Sequence, residues 1–419
     1  MEGQRFSVGG RVFEADDAGL QDALAEAHDA PVRPRCLCVE GGVEMYVACH
    51  GQYLVKRMPE TGPSHHPSCP SYEPEAACSG LAELLGEAIV QVDPDHVELR
   101  VGFAWDLGAG KTSSVAEAPH HQEVARPRRR MSLRALLHFL FDRAGLNRWT
   151  PGMSGKRNQA VVHKYLMRAA EGVTLRGRPL VDRMYVPEPF SESRKRELAE
   201  RRRRKLAVLQ PRNGCRPLGV VVGEFKTCEA TVTGKRMWIR HMPDAPLVVE
   251  AGTWRRMQKV FAAVFEARDA APDAGLRIVI AALIRARDEG VYEVEAATFM
   301  LATAEWIPLH AACELPLVRT LVEEGRQFVK PMIYDAPGPV GFANALLLDV
   351  GALPIQLHIS SAFMSEKERQ FKDRLVAAAK GGQVWHWWAD EGRPVLPGRT
   401  PPRTGLPTWS GADHGCLGT

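Results

Sequence analysis

The chain has 419 residues, of which 45% are hydrophobic and 25% charged, and its formal net charge is +4. Those proportions exclude a disordered chain, and no apolar run approaches the roughly 18 residues that a membrane span requires. At about 100 to 200 residues per domain the length predicts two to four domains. Residues Met1 to Phe6 lack a basic start followed by an apolar stretch, so a cytoplasmic location is expected.

Residues 1–30 read as a hairpin turning at Gly9-Gly10, then a helix from Ala18 to His28. Next come Cys36-Leu37-Cys38 and, after 26 intervening residues, His65-His66-Pro67-Ser68-Cys69. Between these pairs lie Glu44 to Ala48 and Gln52 to Met58, two strand-like runs joined by a turn at Cys49-His50-Gly51. A hairpin there brings both pairs to one end, giving a structural zinc site of Cys36, Cys38, His65 and Cys69, with His66 as the alternative third ligand. Four protein ligands leave no open position for water, so such an ion holds shape and performs no reaction. A disulfide is disfavoured, because Cys36 and Cys38 are too close in sequence to bridge without strain.

A helical pattern spans Ala77 to Ile89, and His96 to Trp105 alternates as a strand, completing a zinc-binding α+β domain over residues 1–105. Residues 106–130, rich in Gly, Ser, Pro and charge, read as a linker. Gly110-Lys111-Thr112 ends like a P-loop, but Trp105 stands where the first glycine is needed, which argues against a nucleotide cofactor. Residues 131–210 form a basic helical segment: Ser132 caps a helix bearing Leu133, Leu136, Leu137, Leu140 and Phe141, and a second helix carries Val161, Tyr165, Leu166 and Ala169. The pair is open to a winged-helix reading with Met184-Tyr185-Val186 as the start of a wing.

Residues 126–205 hold 22 Lys/Arg against 7 Asp/Glu, so the rest of the chain is net negative. Basic density of that kind attracts a phosphate backbone through counterion release. The candidate nucleic-acid contacts are Arg128, Arg129, Arg130, Lys156, Arg157, Lys164, Arg201, Arg202, Arg203 and Arg204, with DNA favoured; an acidic protein partner is the alternative.

Residues 211–304 read as an α/β domain, with strands at Leu218 to Phe225, Arg236 to His241, Leu247 to Val249, Arg277 to Ile284 and Val291 to Leu301. A helix bearing Trp254, Met257, Val260, Phe261, Val264 and Phe265 is expected among them. Glu224 and Lys226 mimic the Glu-x-Lys of metal-dependent nucleases. Residues 305–391 place a helix (Ala311 to Glu324), three strands (Phe328 to Tyr334, Ala345 to Val350, Pro354 to Ile359), a helix (Glu366 to Lys380) and a last strand (Val384 to Trp388) in the order of a restriction-endonuclease-like core. Its catalytic motif is degraded: Asn344 and Gln356-Leu357-His358 stand where metal-binding carboxylates belong, and Glu314 and Asp349, which could supply acid, do not fall at the usual places. Residues 392–419 read as a flexible tail.

Several words of the sequence, among them Cys36-Leu37-Cys38, Lys56-Arg57-Met58-Pro59, His65-His66-Pro67-Ser68-Cys69-Pro70-Ser71-Tyr72, Gly145-Leu146-Asn147-Arg148-Trp149 and Gly325-Arg326-Gln327-Phe328-Val329-Lys330-Pro331, carry a resemblance. The chain resembles the uncharacterised bacterial family catalogued as domain of unknown function 1173. The resemblance implies an association with plasmids and integrative elements and no established activity. The expectation is therefore an α+β multidomain, zinc-stabilised, non-catalytic nucleic-acid-binding accessory protein of mobile genetic elements. The alternatives are a metal-dependent nuclease with an atypical site and a protein-interaction scaffold.

Overall fold

A computed structural model describes residues 4–49, 51–108, 129–288, 290–337, 339–362, 364–378 and 383–400. It is a mixed α+β fold with four sheets and, among the described residues, eight helices. The described residues form two compact units, one from 4–74, 348–355 and 395–400, the other from 75–347 and 356–394. The segments inferred from composition do not coincide with these units. The stretches 131–210, 211–304 and most of 305–391 share one unit.

In the first unit, β1 (Arg5–Val8) and β2 (Arg11–Glu14) form a hairpin through Gly9 and Gly10, both at positive φ as a two-residue turn demands. Helix α1 (Leu20–His28) buries Leu20, Ala23 and Leu24. Strands β3 (Arg35–Cys36), β4 (Val43–Cys49) and β5 (Tyr53–Arg57) complete a sheet of order β2-β1-β3-β4-β5. The β4–β5 hairpin is the one expected from the sequence.

The second unit holds three sheets. The smallest has the order β11-β10-β7-β6, from β6 (Ile89–Gln91), β7 (Val97–Leu99), β10 (Val173–Leu175) and β11 (Arg178–Pro179). The helix expected over Ala77 to Ile89 is replaced by two 3₁₀ turns, Ala76–Cys78 and Gly80–Glu83. The reason is tertiary: Gly80 donates its N–H to the Met332 carbonyl, and a Cβ there would lie 2.2 Å from the Ile333 oxygen.

The largest sheet contains β8 (Asp106–Leu107), β12 (Met184–Tyr185), β13 (Arg216–Ala230), β14 (Gly234–Ile239), β15 (Leu247–Glu250), β16 (Arg277–Asp288), β17 (Val291–Ala302) and β18 (Pro308–Leu309). Because β13 pairs with both β14 and β16, the path β13-β14-β15-β17-β16 closes on itself as a five-stranded barrel. Strand β13 serves both neighbours in turn: Leu218 to Glu224 face β16 and Phe225 to Ala230 face β14, with a register shift between Phe225 and Thr227. The single helix expected after β15 is two, α5 (Ala251–Val260) and α6 (Ala262–Ala270), broken at Phe261.

Helix α2 (Leu133–Arg143) starts at Ser132, whose hydroxyl accepts the Ala135 N–H, as its sequence position predicts. Eight of its eleven residues are buried, so most of its circumference is core, with Arg134 and Arg143 exposed. Fifteen residues separate it from α3 (Gln159–Ala170), including β9 (Arg148–Trp149), whereas a helix-turn-helix uses three or four. Met184 and Tyr185 are buried in β12 and run parallel to β13 rather than opening a wing. These elements do not build the winged helix that the sequence left open.

The fourth sheet has the order β22-β21-β20-β19-β9, from β19 (Phe328–Val329), β20 (Ala345–Leu347), β21 (Ile355–Ser360) and β22 (Val384–Trp388). Helix α7 (Leu315–Glu323) precedes β19, and α8 (Glu366–Ala378) joins β21 to its parallel neighbour β22.

Candidate metal centre

Antiparallel pairing of β4 with β5, in the register Met45 to Arg57 through Cys49 to Tyr53, returns the chain to the end from which Cys36 and Cys38 enter. Beyond β5 a 3₁₀ turn at Gly62–Ser64 and a tight turn, in which Cys69 donates to the His66 carbonyl at 2.8 Å, present His65 and Cys69. The donor atoms of Cys36, Cys38, His65 and Cys69 all lie within 4.8 Å of one another. This is a buried Cys3His cluster able to hold a metal ion such as zinc.

The spacings test that fit. Zinc–sulfur bonds of about 2.3 Å in a tetrahedron put neighbouring sulfurs about 3.8 Å apart. Cys36 Sγ and Cys69 Sγ are 3.7 Å apart, well beyond a disulfide bond. His65 turns Nδ1 toward the sulfurs, at 3.3 Å from Cys38 and 3.8 Å from Cys69, while its Nε2 is buried without a partner. His66 instead places its Nδ1 2.8 Å from the Ser68 hydroxyl. His65, not His66, is therefore the histidine that joins the three cysteines in the cluster.

Bare thiols crowded this closely compete for protons. Hydrogen bonds from Cys38 and then Cys69 drive the Cys36 thiol far below its usual range, and the same contacts push Cys38 and Cys69 upward. A cation relieves that competition, since metal binding replaces the shared protons. Gln4 adds a contact with no counterpart in the Cys/His spacing: its amide donates toward Cys36 Sγ at 3.5 Å, Cys69 Sγ at 3.8 Å and the Ser71 hydroxyl at 2.8 Å. The Ser71 N–H also points at Cys69 Sγ, at 3.4 Å. Only sheet pairing brings residue 4 here, because Phe6 lies opposite Cys36 in the β1–β3 register.

The basic candidates divide by environment. Arg157 is structural: it donates to the carbonyls of Leu146, Gly145 and Arg148, lies over the Trp149 ring, and burial pulls its pKa down to about 10. Arg202 is 4% exposed and paired with Asp244. Neither side chain is presented to a nucleic acid, so both expectations are corrected. Arg201 is exposed but bridges Glu188 and Glu197, and Arg129 is paired with Glu83. Arg130, Lys156, Lys164, Arg203 and Arg204 are exposed. Arg128 and the Gly-Lys-Thr stretch at 110–112 lie outside the described residues.

All three carboxylates weighed for nuclease chemistry are engaged, Asp349 by Arg399 at 3.7 Å. Glu224 is 5% exposed and clamped by Arg240 at 2.8 Å and Arg277 at 2.6 Å. Glu314 is 1% exposed; it accepts from Lys330 Nζ at 2.9 Å, the His310 N–H at 2.8 Å and the Asn344 amide at 2.8 Å. Burial alone would raise the pKa of Glu314, but Lys330, His310 and Asn344 hold it down at about 2. Lys330 Nζ also donates to the Asn344 carbonyl at 2.6 Å, and the Asn344 side-chain oxygen accepts from Lys372 at 3.2 Å. The chain's own ammonium groups occupy the neighbourhood of this acid.

No helix among the described residues is long and apolar enough to cross a membrane. A family model described as Protein of unknown function (DUF1173) matches residues 6–390. The chain belongs to the DUF1173 family. That match takes in the Cys3His cluster, the barrel and the fourth sheet of this DUF1173 member. Comparison with the curated proteins and with the solved structures gives no match.

Proposed function

We propose that this DUF1173 protein is a non-catalytic, zinc-stabilised nucleic-acid-binding protein that serves mobile DNA as an accessory factor. The observation that carries the reading is the closed Cys3His cluster. Cys36, Cys38, His65 and Cys69 would hold a zinc ion on all four sides, and a zinc so enclosed supplies rigidity with no site for a reacting water. The exposed cations Arg130, Lys156, Lys164, Arg203 and Arg204 supply the charge that a phosphate backbone would meet.

The run α7, β19, β20, β21, α8, β22, with β21 and β22 parallel, has the order of a restriction-endonuclease-like core, and we read it as a nuclease-shaped module kept for binding. The engagement of Glu224 by two arginines and of Glu314 by Lys330 favours binding over metal-dependent hydrolysis.

The test is fluorescence anisotropy of the full chain with labelled single- and double-stranded DNA and RNA over a salt series. The expected result is an affinity that falls steeply with salt. Replacing Arg203 and Arg204 together by Ala should reduce the log–log slope by about 2. Absence of binding to every probe at low salt would overturn the reading in favour of a protein-interaction scaffold, and Mg²⁺-dependent cleavage would replace it with a nuclease.

A further inference from the structure

The five barrel strands run β13-β14-β15-β17-β16 and back to β13, with β15 parallel to β17 and α5 and α6 crossing between the third and fourth strands. That is the connectivity of an OB-type barrel, a scaffold suited to single strands because it offers curved strands and aromatic platforms rather than a helix for a groove. Fold alone assigns nothing. One cavity on this barrel has its own chemistry.

Where β13 shifts register past Phe225, the strand leaves β16 behind and its following residues, Lys226 and Thr227, are exposed. Between this stretch and the two helices lies a cavity of about 180 Å³, walled by Phe225, Trp254 and Phe265, with Thr227, Cys228, Gln258, Arg268 and the Asp269 carboxylate at its polar side. The aromatic rings are held at fixed angles, Phe225 to Phe265 at 5.6 Å between centroids and Trp254 to Phe265 at 6.0 Å. The Arg268 guanidinium sits 5.3 Å from the Phe225 ring centre, donates to the Lys226 carbonyl at 3.5 Å, and lies beside the Asp269 carboxylate. Burial pushes up the thiol of Cys228, which also lines the cavity, while the charges of Lys235 and Arg268 pull it down.

The cavity is smaller than the roughly 300 Å³ at which pockets for whole small molecules begin. It suits one flat, partly polar ring whose charged attachment stays outside. We propose that it seats a single unpaired base of a single-stranded nucleic acid, stacked against the aromatic wall, with the Gln258 amide and Thr227 hydroxyl at its polar edge and Lys226, Lys235 and Arg268 near the adjoining phosphates. A duplex cannot deliver that base without breaking a pair, so the site selects unpaired strands. The inference rests on the nucleic-acid reading above and specifies its form.

The test uses the full chain with a labelled short oligonucleotide, the matching duplex, and versions of the single strand carrying one abasic position. The expected results are tighter binding of the single strand than of the duplex and a loss of about tenfold at one abasic position. Gln258→Trp, on an exposed helical position, should fill the mouth without removing a core contact and abolish the abasic penalty while leaving duplex binding unchanged. Gln258→Ala paired with Arg268→Ala should weaken single-strand binding by about tenfold, with thermal unfolding confirming an intact fold. If the wild type binds single strand and duplex alike and Gln258→Trp changes neither, this inference is overturned and the nucleic-acid reading stands. If the wild type binds no nucleic acid, both fall.

Discussion

Two sites in this molecule gather polar side chains out of water, and they differ in where the compensating cation comes from. At Cys36, Cys38, His65 and Cys69 three sulfurs and a ring nitrogen converge into a cluster that could hold an external ion. Around Glu314 the chain supplies Lys330, fully buried, and Lys372, 2% exposed. Soft donors at tetrahedral spacing make a cluster that could hold a metal, whereas a carboxylate saturated by an ammonium and an amide makes a structural node. Acidic residues in a sequence do not by themselves separate these outcomes, because the deciding group can come from a distant strand.

The largest expected effect sharpens this contrast. Plasma mass spectrometry of protein purified without chelator should find about one zinc per chain, and none in a Cys36→Ser/Cys69→Ser variant. Structural zinc contributes on the order of 10 kcal/mol, so chelation should abolish amide-exchange protection in β3 to β5 while leaving the barrel protected. Retention of protection in zinc-free protein would show that the two sites do not differ as argued. Next in size, Lys330→Met leaves Glu314 buried and unpaired and should cost about 3 to 5 kcal/mol in denaturant unfolding. Adding Glu314→Leu should recover most of that loss, since the buried pair contributes little once both charges are gone.

Acid should act on the second unit with a defined sign. Burial holds His310 at about 4 and His358 at about 3, below the ordinary 6.5, so the fold keeps both neutral while the unfolded chain binds protons. Stability is then complete above about pH 6.5 and falls by about 1.4 kcal/mol per pH unit for each histidine as pH drops toward 4. His358→Leu should flatten that decline in a pH series of denaturation midpoints, and an unchanged slope would remove His358 from the account. The smallest contrast lies within one helix, α4 (Lys195–Leu206). Arg202→Ala, which breaks the Asp244 pair, should cost about 1 to 2 kcal/mol, whereas Arg203→Ala should stay within about 0.5 kcal/mol and change only nucleic-acid affinity.

The Cys3His cluster was largely legible in the sequence because its signals are local. Strand-forming runs flank a short turn, ligand pairs sit at both ends, and a hairpin has a single way to close. The capped start of α2 and the long barrel strands were legible for the same reason, as propensity and pattern act over a few residues. Where local signals misled, a distant partner had intervened. The helical spacing of Leu81, Leu84 and Leu85 lost to backbone pairing of Gly80 with Met332, and the two amphipathic helices that resembled a DNA-binding pair turned out to be separated, with most of α2 buried in the core.

Sequence by itself determined, then, that this chain folds around a cysteine–histidine hairpin and carries a concentrated basic segment, because ligand type, turn chemistry and charge are properties of short stretches. Only the tertiary structure decided which arginines are buried as structural groups, that Gln4 donates to the cluster's sulfurs, that Lys330 takes the charge of Glu314, and that β13 closes a barrel by serving two neighbours. Each of those depends on residues far apart in the chain. Their meeting is set by packing and burial, which no local pattern encodes.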